Sequence, residues 1–572
     1  MLYNNLFQIV VLITLLVIVC PILGYYIFSI FSKEENSIKN INKYWHPLFI
    51  FSKIELLIYK ICKVDKLQNM DWKKYLFSVL IFNFFGFVLL FILQMIQKWL
   101  PLNPQNLGNV PIDLAFNTAV SFVTNTNWQN YAGETTMSYL VQMVGLTVQN
   151  FLSAGTGIVV VIALIRGIAN KESNLLGNFW VDITRSVVYI LIPLSIVISI
   201  LLISQGVVQT LQPYQNIETI EGVNQTIPLG PAASQVAIKM VGTNGGGYFN
   251  ANSSHPFENP TPFSNFIEMF SLLLIPMALP FTFGRFVGSK KQGRTLFFTM
   301  FGLLLIGFII MLFSENYLHP ILQQSGIMEG KETRFGIVNS VFFANITTAV
   351  SCGAVNCAHS SLTPISGLIL MLNMMLGEIV FGGVGAGLYG MLIFVLLTVF
   401  ISGLMVGRTP EYLGKKIESK EIKMAILAVI IPNMVILIFT ALALCVPSAY
   451  SQVSSGGPHS FSEILYAFTS SAANNGSAFA GLNGNTPFFN IFLGLSMIIG
   501  RFGVIIPVLI IAGSLSNKKI IPKSLGTFRT DTPLFAFILI AVILIIGALT
   551  YFPALSLGPI LEHLLMKSGI IF

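Results

Sequence analysis

The sequence predicts an all-α polytopic membrane protein of about ten transmembrane helices, arranged as four parallel repeats of two spans around a shorter helix. Three observations lead there: composition, the spacing of apolar segments, and the recurrence of one pattern in the loops between them. Of 572 residues, 54% are hydrophobic and 9% are charged, against roughly 25% charged in a soluble domain. That polar coat is too thin for a soluble enzyme or a nucleic-acid binder, and it overrides the several soluble domains that length alone would suggest. The five cysteines, Cys20, Cys62, Cys352, Cys357 and Cys445, form no C-x-x-C pair and sit in apolar surroundings, which excludes a disulfide scaffold.

Ten segments are long and apolar enough to span, at 6–30, 76–98, 139–165, 182–204, 264–286, 296–314, 368–406, 424–447, 487–511 and 534–554. The first has no basic residue before it and no small-residue cleavage site, so it reads as a retained helix. The seventh is interrupted by Gly382, Gly383, Gly385 and Gly387, and reads as two short helices or one broken helix. A break at membrane depth must line protein or water.

Basic residues orient the spans. With the N-terminus outside, 25 of the 31 Lys and Arg residues fall at 33–74, 166–185, 285–294, 408–423 and 518–529 on the inner side, against five outside. The domain plan is then a first helix at 6–30, a Lys-rich cytoplasmic loop at 31–75, repeats at 76–165, 182–286, 296–406 and 424–511, and a last span at 534–554. On the outer side acids outnumber bases, so that face attracts cations weakly.

Each outer loop within a repeat carries a second segment too short to span, at 115–129, 234–247, 339–355 and 463–479, and each ends in small polar residues. Singly, such Gly, Asn, Ser and Thr clusters read as surface turns. Four in matched positions, with Thr126, Gly245, Gly353 and Gly476 separated by 119, 108 and 123 residues, read as an internal repeat. All four repeats start and end inside, so they are parallel repeats about an axis along the membrane normal. Four re-entrant loops around one axis present a ring of backbone carbonyls, which can replace the hydration shell of a monovalent cation. Glycine lets successive carbonyls point the same way. The first repeat has Thr124-Asn125-Thr126-Asn127 in that place, which predicts an asymmetric ring.

The stretches 116–129, 242–262 (GTNGGGYFNANSSHPFENPTP), 351–356 (SCGAVN) and 474–487 (NNGSAFAGLNGNTP) resemble the potassium-binding A subunits of the Kdp potassium-transporting ATPases. The resemblance runs nearly end to end and takes in all four short segments. It implies four membrane–pore–membrane repeats in a pseudo-fourfold, potassium-channel-like fold of the potassium-transporter superfamily. It further implies high-affinity uptake of K+ across a bacterial inner membrane, with the ion passed through an intramembrane tunnel to the B subunit, which is a P-type ATPase. The small C subunit and the very short F subunit would complete the complex, with membrane lipids around it and no nucleic acid. Carried over by position, the filter stretches are 124–127, 243–246, 351–354 and 474–477. The K+ ligands would be Thr124, Asn125 and Thr126; Thr243, Asn244 and Gly245; Ser351, Cys352 and Gly353; and Asn474, Asn475 and Gly476. Gln129, just after the first filter stretch, would support it. Cys352 and Cys357 read as small packing residues around a filter, with no further metal site.

Two charges fall inside spans, Glu378 and Arg501, and an intramembrane charge is a functional hypothesis by default. They are expected to be neighbours and to pair, either as a packing clamp or, with the resemblance, as the border of the tunnel. Arg408 would continue that line towards a partner. Glu268 lies nearer the outer end and is expected to reach the interface. The Gly382–Gly390 stretch, Gly383 included, serves either close helix packing or an exit that needs irregular backbone.

No G-x-x-x-x-G-K-[ST] loop, no Asp-Lys-Thr-Gly motif and no G-x-S-x-G elbow occurs, so ATP hydrolysis is expected on a partner chain and no nucleotide on this one. A stand-alone potassium channel or secondary symporter would also explain the four segments. A membrane hydrolase built on His255 and His359 would leave them unexplained.

Overall fold

The computed structural model describes residues 2–32, 48–317, 324, 326–522 and 528–570. Residues 33–47 of the expected basic loop, with 318–323, 325 and 523–527 of two further loops, lie outside the described residues.

Among the described residues ten helices are long and apolar enough to cross a membrane: Asn5–Phe31, Trp72–Met95, Val141–Ala169, Phe179–Ser204, Pro262–Phe286, Lys290–Asn316, Ala386–Met405, Ser419–Cys445, Pro487–Ser516 and Pro533–Lys567. Several starts are written in the sequence as Thr-Pro. Thr261, Thr486 and Thr532 each accept a bond from the backbone N–H three residues on, and the Pro that follows has no N–H to leave unsatisfied.

The helices sort into an inner and an outer set by burial. In the first two repeats the second span is the more enclosed: 89% of the Val141–Ala169 core stretch and 83% of Pro262–Phe286 are buried, against 28% for Trp72–Met95 and 44% for Phe179–Ser204. Each pair brackets a short helix: Ile112–Val123, Ala232–Val241, Gly336–Ala349 and Gly457–Ala473. Apolar on most sides and too short to span, these four are buried among the inner helices.

The segment 368–406 is two helices, Pro364–Met375 and Ala386–Met405, joined by ten irregular residues. Glu378, Phe381, Gly377, Gly382 and Gly385 all take positive φ there, so the helical hydrogen-bond ladder cannot continue. The basic loop at 31–75 contains a helix, Leu48–Ile61, which reads in the sequence as loop because it is too short to span. It turns Glu55 inward to accept from Tyr59, Tyr189 and Arg185, while Ile50, Leu56 and Leu57 stay exposed. Two small β-hairpins occupy loops, Gln215–Glu218 with Asn224–Ile227 and Glu411–Tyr412 with Lys415–Lys416. Lys415 donates to the carbonyls of Gly167 (2.9 Å), Asn170 (2.5 Å) and Leu515 (2.6 Å), tying together the ends of two inner helices.

Candidate functional site

Each short helix runs directly into a polar segment, and those segments lie in the middle of the molecule. Thr124, Asn125 and Thr126, Thr243 and Asn244, Ser351 and Cys352, and Asn474 and Asn475 are all buried. The four segments meet as a closed ring. Asn125 Nδ2 donates to the Thr243 carbonyl (3.0 Å), joining the first to the second. The second approaches the third so closely that a Cβ on Gly245 would stand 2.3 Å from the Gly353 nitrogen. Ser351 Oγ donates to the Asn474 carbonyl (3.0 Å), joining third to fourth, and Asn474 Nδ2 donates to Thr126 Oγ1 (3.0 Å), closing the circle.

Glycine is required where these backbones touch. Gly476 has φ +103°, and a Cβ on it would lie 2.0 Å from the Thr126 carbonyl oxygen. The first segment manages without glycine because Asn125 (φ +66°) and Asn127 (φ +55°) take the left-handed turn, which Asn tolerates better than other side chains. Thr124 Oγ1 and Thr126 Oγ1 bond to each other at 2.8 Å, which leaves the segment's own carbonyls free of these hydroxyls. Gln129 bridges outward: Gly247 N donates to its Oε1 (2.8 Å) and its Nε2 donates to the Gly247 carbonyl (3.1 Å). It therefore clamps the first segment to the second. Thr347, at the end of the third short helix, donates to the carbonyls of Cys352 and Ala354.

Beneath the ring the irregular residues 376–385 lie across the fold. Gly382 N donates to the Ala349 carbonyl (3.1 Å), Val384 N donates to Thr243 Oγ1 (2.9 Å), and a Cβ on Gly383 would meet Ser351 Cβ at 2.9 Å. To one side opens a cavity whose lining includes Glu378, Arg501, Asn474, Tyr389, Asn433 and Met375. Glu378 and Arg501 do share this cavity, but the expected ion pair is not formed. Glu378 Oε1 accepts from Asn475 Nδ2 (2.9 Å), and Arg501 Nη2 donates to the Ser153 carbonyl (3.3 Å). Each charge is held by the ring or by an inner helix instead of by the other. Arg408 is exposed beyond the end of Ala386–Met405 and does not line the cavity.

Behind the second segment stands a cluster that the sequence does not single out. Lys239 is fully buried on its short helix, and its ammonium donates to Glu258 Oε2 (2.7 Å), Asn252 Oδ1 (2.9 Å) and Ser253 Oγ (3.3 Å). Glu258 Oε1 accepts from Phe249 N (2.8 Å), so the pair also fixes the chain that leaves Gly247. Glu268 does not reach the interface: it is 0% exposed, with no hydrogen-bond partner on either oxygen among the described residues. The available signal was a lysine on an apolar re-entrant helix, which needs a nearby carboxylate. The histidines are absorbed in packing. His255 stacks on Phe249 at 4.2 Å, and His359 Nδ1 bonds to Tyr466 OH at 2.9 Å. Burial pushes His359 down to about 3, so it is neutral at ordinary pH. Among the described residues no group of His, Cys, Asp and Glu is placed to hold a further metal ion.

Residues 10–564 match the family model described as potassium-transporting ATPase A subunit. A potassium-transporting ATPase potassium-binding subunit from Herpetosiphon aurantiacus is 54% identical, over 99% of this chain and 100% of that one. Proteins with the same description from Mesorhizobium japonicum and Leptospira interrogans are 53% and 55% identical, over 99% and 92% of this chain and 99% and 95% of theirs. Among solved structures, the potassium transporter TrkH from Vibrio parahaemolyticus superposes with a TM-score of 0.52 at 14% identity, covering 85% of this chain and 96% of that one. That likeness concerns the fold, the potassium-channel-like assembly of membrane–pore–membrane repeats.

Proposed function

This chain belongs to the family of potassium-transporting ATPase A subunits, a potassium-transport subunit whose catalysis lies on another chain, and from that premise we propose how it handles the ion. The closed ring of four polar segments is the selectivity filter. K+ arriving from outside exchanges its water for the carbonyls of Thr124–Thr126, Thr243–Gly245, Ser351–Gly353 and Asn474–Gly476, and the C-terminal ends of four short helices add partial negative charge. The observation that carries this reading is the ring's closure, by bonds from Asn125 to Thr243, Ser351 to Asn474 and Asn474 to Thr126, and by the close approach of Gly245 to Gly353. Side-chain amides and hydroxyls brace the ring, in part through the carbonyls of Thr243, Cys352 and Asn474, each of which keeps a second lone pair for the ion.

The broken helix blocks a straight descent and turns the ion sideways into the cavity. There Glu378, tethered to the filter through Asn475, attracts it, and Arg501 opposes free passage; Gly383 sits at the turn. The tunnel continues towards the P-type ATPase of the complex, its B subunit, with the C and F subunits completing the assembly in the cytoplasmic membrane. The N-terminus is outside, an orientation that the clustering of basic residues supports. Arg408, at the inner end of the same helix, faces the partner side.

Rubidium uptake at low external concentration, in cells lacking other potassium systems, tests this directly. Uptake should need the ATPase partner and should disappear in Gly245→Asp. Uptake by the chain alone would make it a channel or symporter and remove the tunnel. Arg501→Met should fold but uncouple transport from ATP hydrolysis. Unchanged coupled uptake would discard the gate.

A further inference from the structure

Away from the ring, at the basic end of the molecule, an open cavity is lined by Pro21, Phe281, Arg285, Lys290 and Arg294. We infer that it is a binding site for the headgroup of an anionic phospholipid, with Arg285, Lys290 and Arg294 gripping the phosphate. Cations at the inner ends of spans are expected from topology alone, so their presence is not the argument. What distinguishes these three is that they line one cavity and that, among the described residues, no carboxylate lines it with them. Arg166 pairs with Asp182, Arg185 with Glu55, Lys518 with Glu421 and Arg529 with Asp531. Among the described residues Arg285, Lys290 and Arg294 have no carboxylate within ion-pair distance, and they converge on one cavity.

The cavity is also shaped for a lipid. Its wall is apolar, made by Pro21 of the first span and Phe281 of the fifth. These two helices lie close, with Thr282 Oγ1 donating to the Gly24 carbonyl at 3.0 Å. The Arg285 guanidinium lies over the Tyr25 ring at 5.0 Å, which fixes its position without using its N–H groups. Lys290 opens the 27-residue helix Lys290–Asn316, whose first backbone N–H groups and dipole favour an anion at the same place. Along the first helix Ile18 and Ile22 are exposed and offer acyl chains an apolar path. A free phosphate would satisfy the cations and leave that path unused. Clusters of this kind near a membrane surface contribute about 1 kcal/mol per cation, so three correspond to about a hundredfold in affinity.

The test is native mass spectrometry of the full chain in detergent, titrated with phosphatidylglycerol and, separately, with phosphatidylcholine. The unaltered chain should retain phosphatidylglycerol in preference. R285Q/K290Q/R294Q should weaken that retention about a hundredfold, while K420Q/K423Q, which removes two cations from the same end, should leave it unchanged. R285K/R294K keeps the charge and should retain the lipid, which separates loss of the site from loss of the fold. Equal retention of both lipids, equal loss in the two neutralised variants, or full displacement by inorganic phosphate would each overturn the assignment.

Discussion

The second and fourth quarters of the ring do the same job with opposite chemistry behind them. Behind the second, a fully buried ammonium, Lys239, is held by Glu258 and by two neutral oxygens. Behind the fourth, the short helix uses neutral partners: Tyr466 OH bonds to Ser477 Oγ at 2.8 Å and to the neutral His359. Charged side chains meet this quarter at its two ends: His459 Nδ1 meets Glu562 Oε2 at 2.8 Å at the helix entrance, and Glu378 accepts from Asn475 at the filter end. A ring made of backbone requires only that each segment be held at the right depth. Whether a salt bridge or a hydroxyl chain does the holding is free to differ, and the penalty for damage differs with it.

The largest effects should be those that ignore the difference. Gly476→Ala and Gly245→Ala both drive a Cβ into the neighbouring backbone at left-handed φ, and each should abolish rubidium uptake, one quarter as fully as the other. A variant that kept normal uptake and normal rejection of sodium would break the ring at that position. Next in size is the contrast itself. Lys239→Met strands the Glu258 carboxylate in a dry site and should cost about 3–5 kcal/mol in denaturant or thermal unfolding. The double variant K239M/E258Q should recover much of that loss. Tyr466→Phe, on the short helix of the fourth quarter, removes a neutral hydrogen-bonding hydroxyl and should cost about 1 kcal/mol. Equal losses would show that the two supports are the same in kind.

The smallest effect is a pH dependence confined to the fourth quarter. Burial disfavours a charged His459, but the hydrogen bond and charge of Glu562 outweigh it and raise the imidazole above its ordinary value. Its contribution is therefore full below about pH 6.5 and is lost as pH rises through the raised folded value. His459→Gln should flatten that part of the stability profile by about 1 kcal/mol. His359→Gln should not change the profile's shape, because His359 carries no charge in this range.

The spans were legible because length and apolarity decide them, and the short helices because the same pattern recurs four times. The ring positions could be read because small polar residues follow each short helix, a local feature. What could not be read depends on which loop folds back on which helix. Glu258 is 19 residues from Lys239 and reaches it only because the 249–258 chain turns back on the short helix. The Glu378–Arg501 pair was a sensible inference from two lone charges, yet Asn475 offered Glu378 a nearer donor. Glu268 sits near a span end in the sequence, but the fold covers it. The helix Leu48–Ile61 hid in a lysine-rich stretch because it is too short to span, and because its one acid, Glu55, points inward while several of its apolar residues do not.

The ring's four segments come from one polypeptide, closed by three different hydrogen bonds and, between the second and third, by backbone contact at Gly245 and Gly353. In a tetramer of identical chains, any substitution strikes all four walls together and must be tolerable in quadruplicate. Here a change is made once. One wall can carry a lysine, another a broken helix and a third an asparagine turn, and natural selection can cut a single side door without weakening the other three sides.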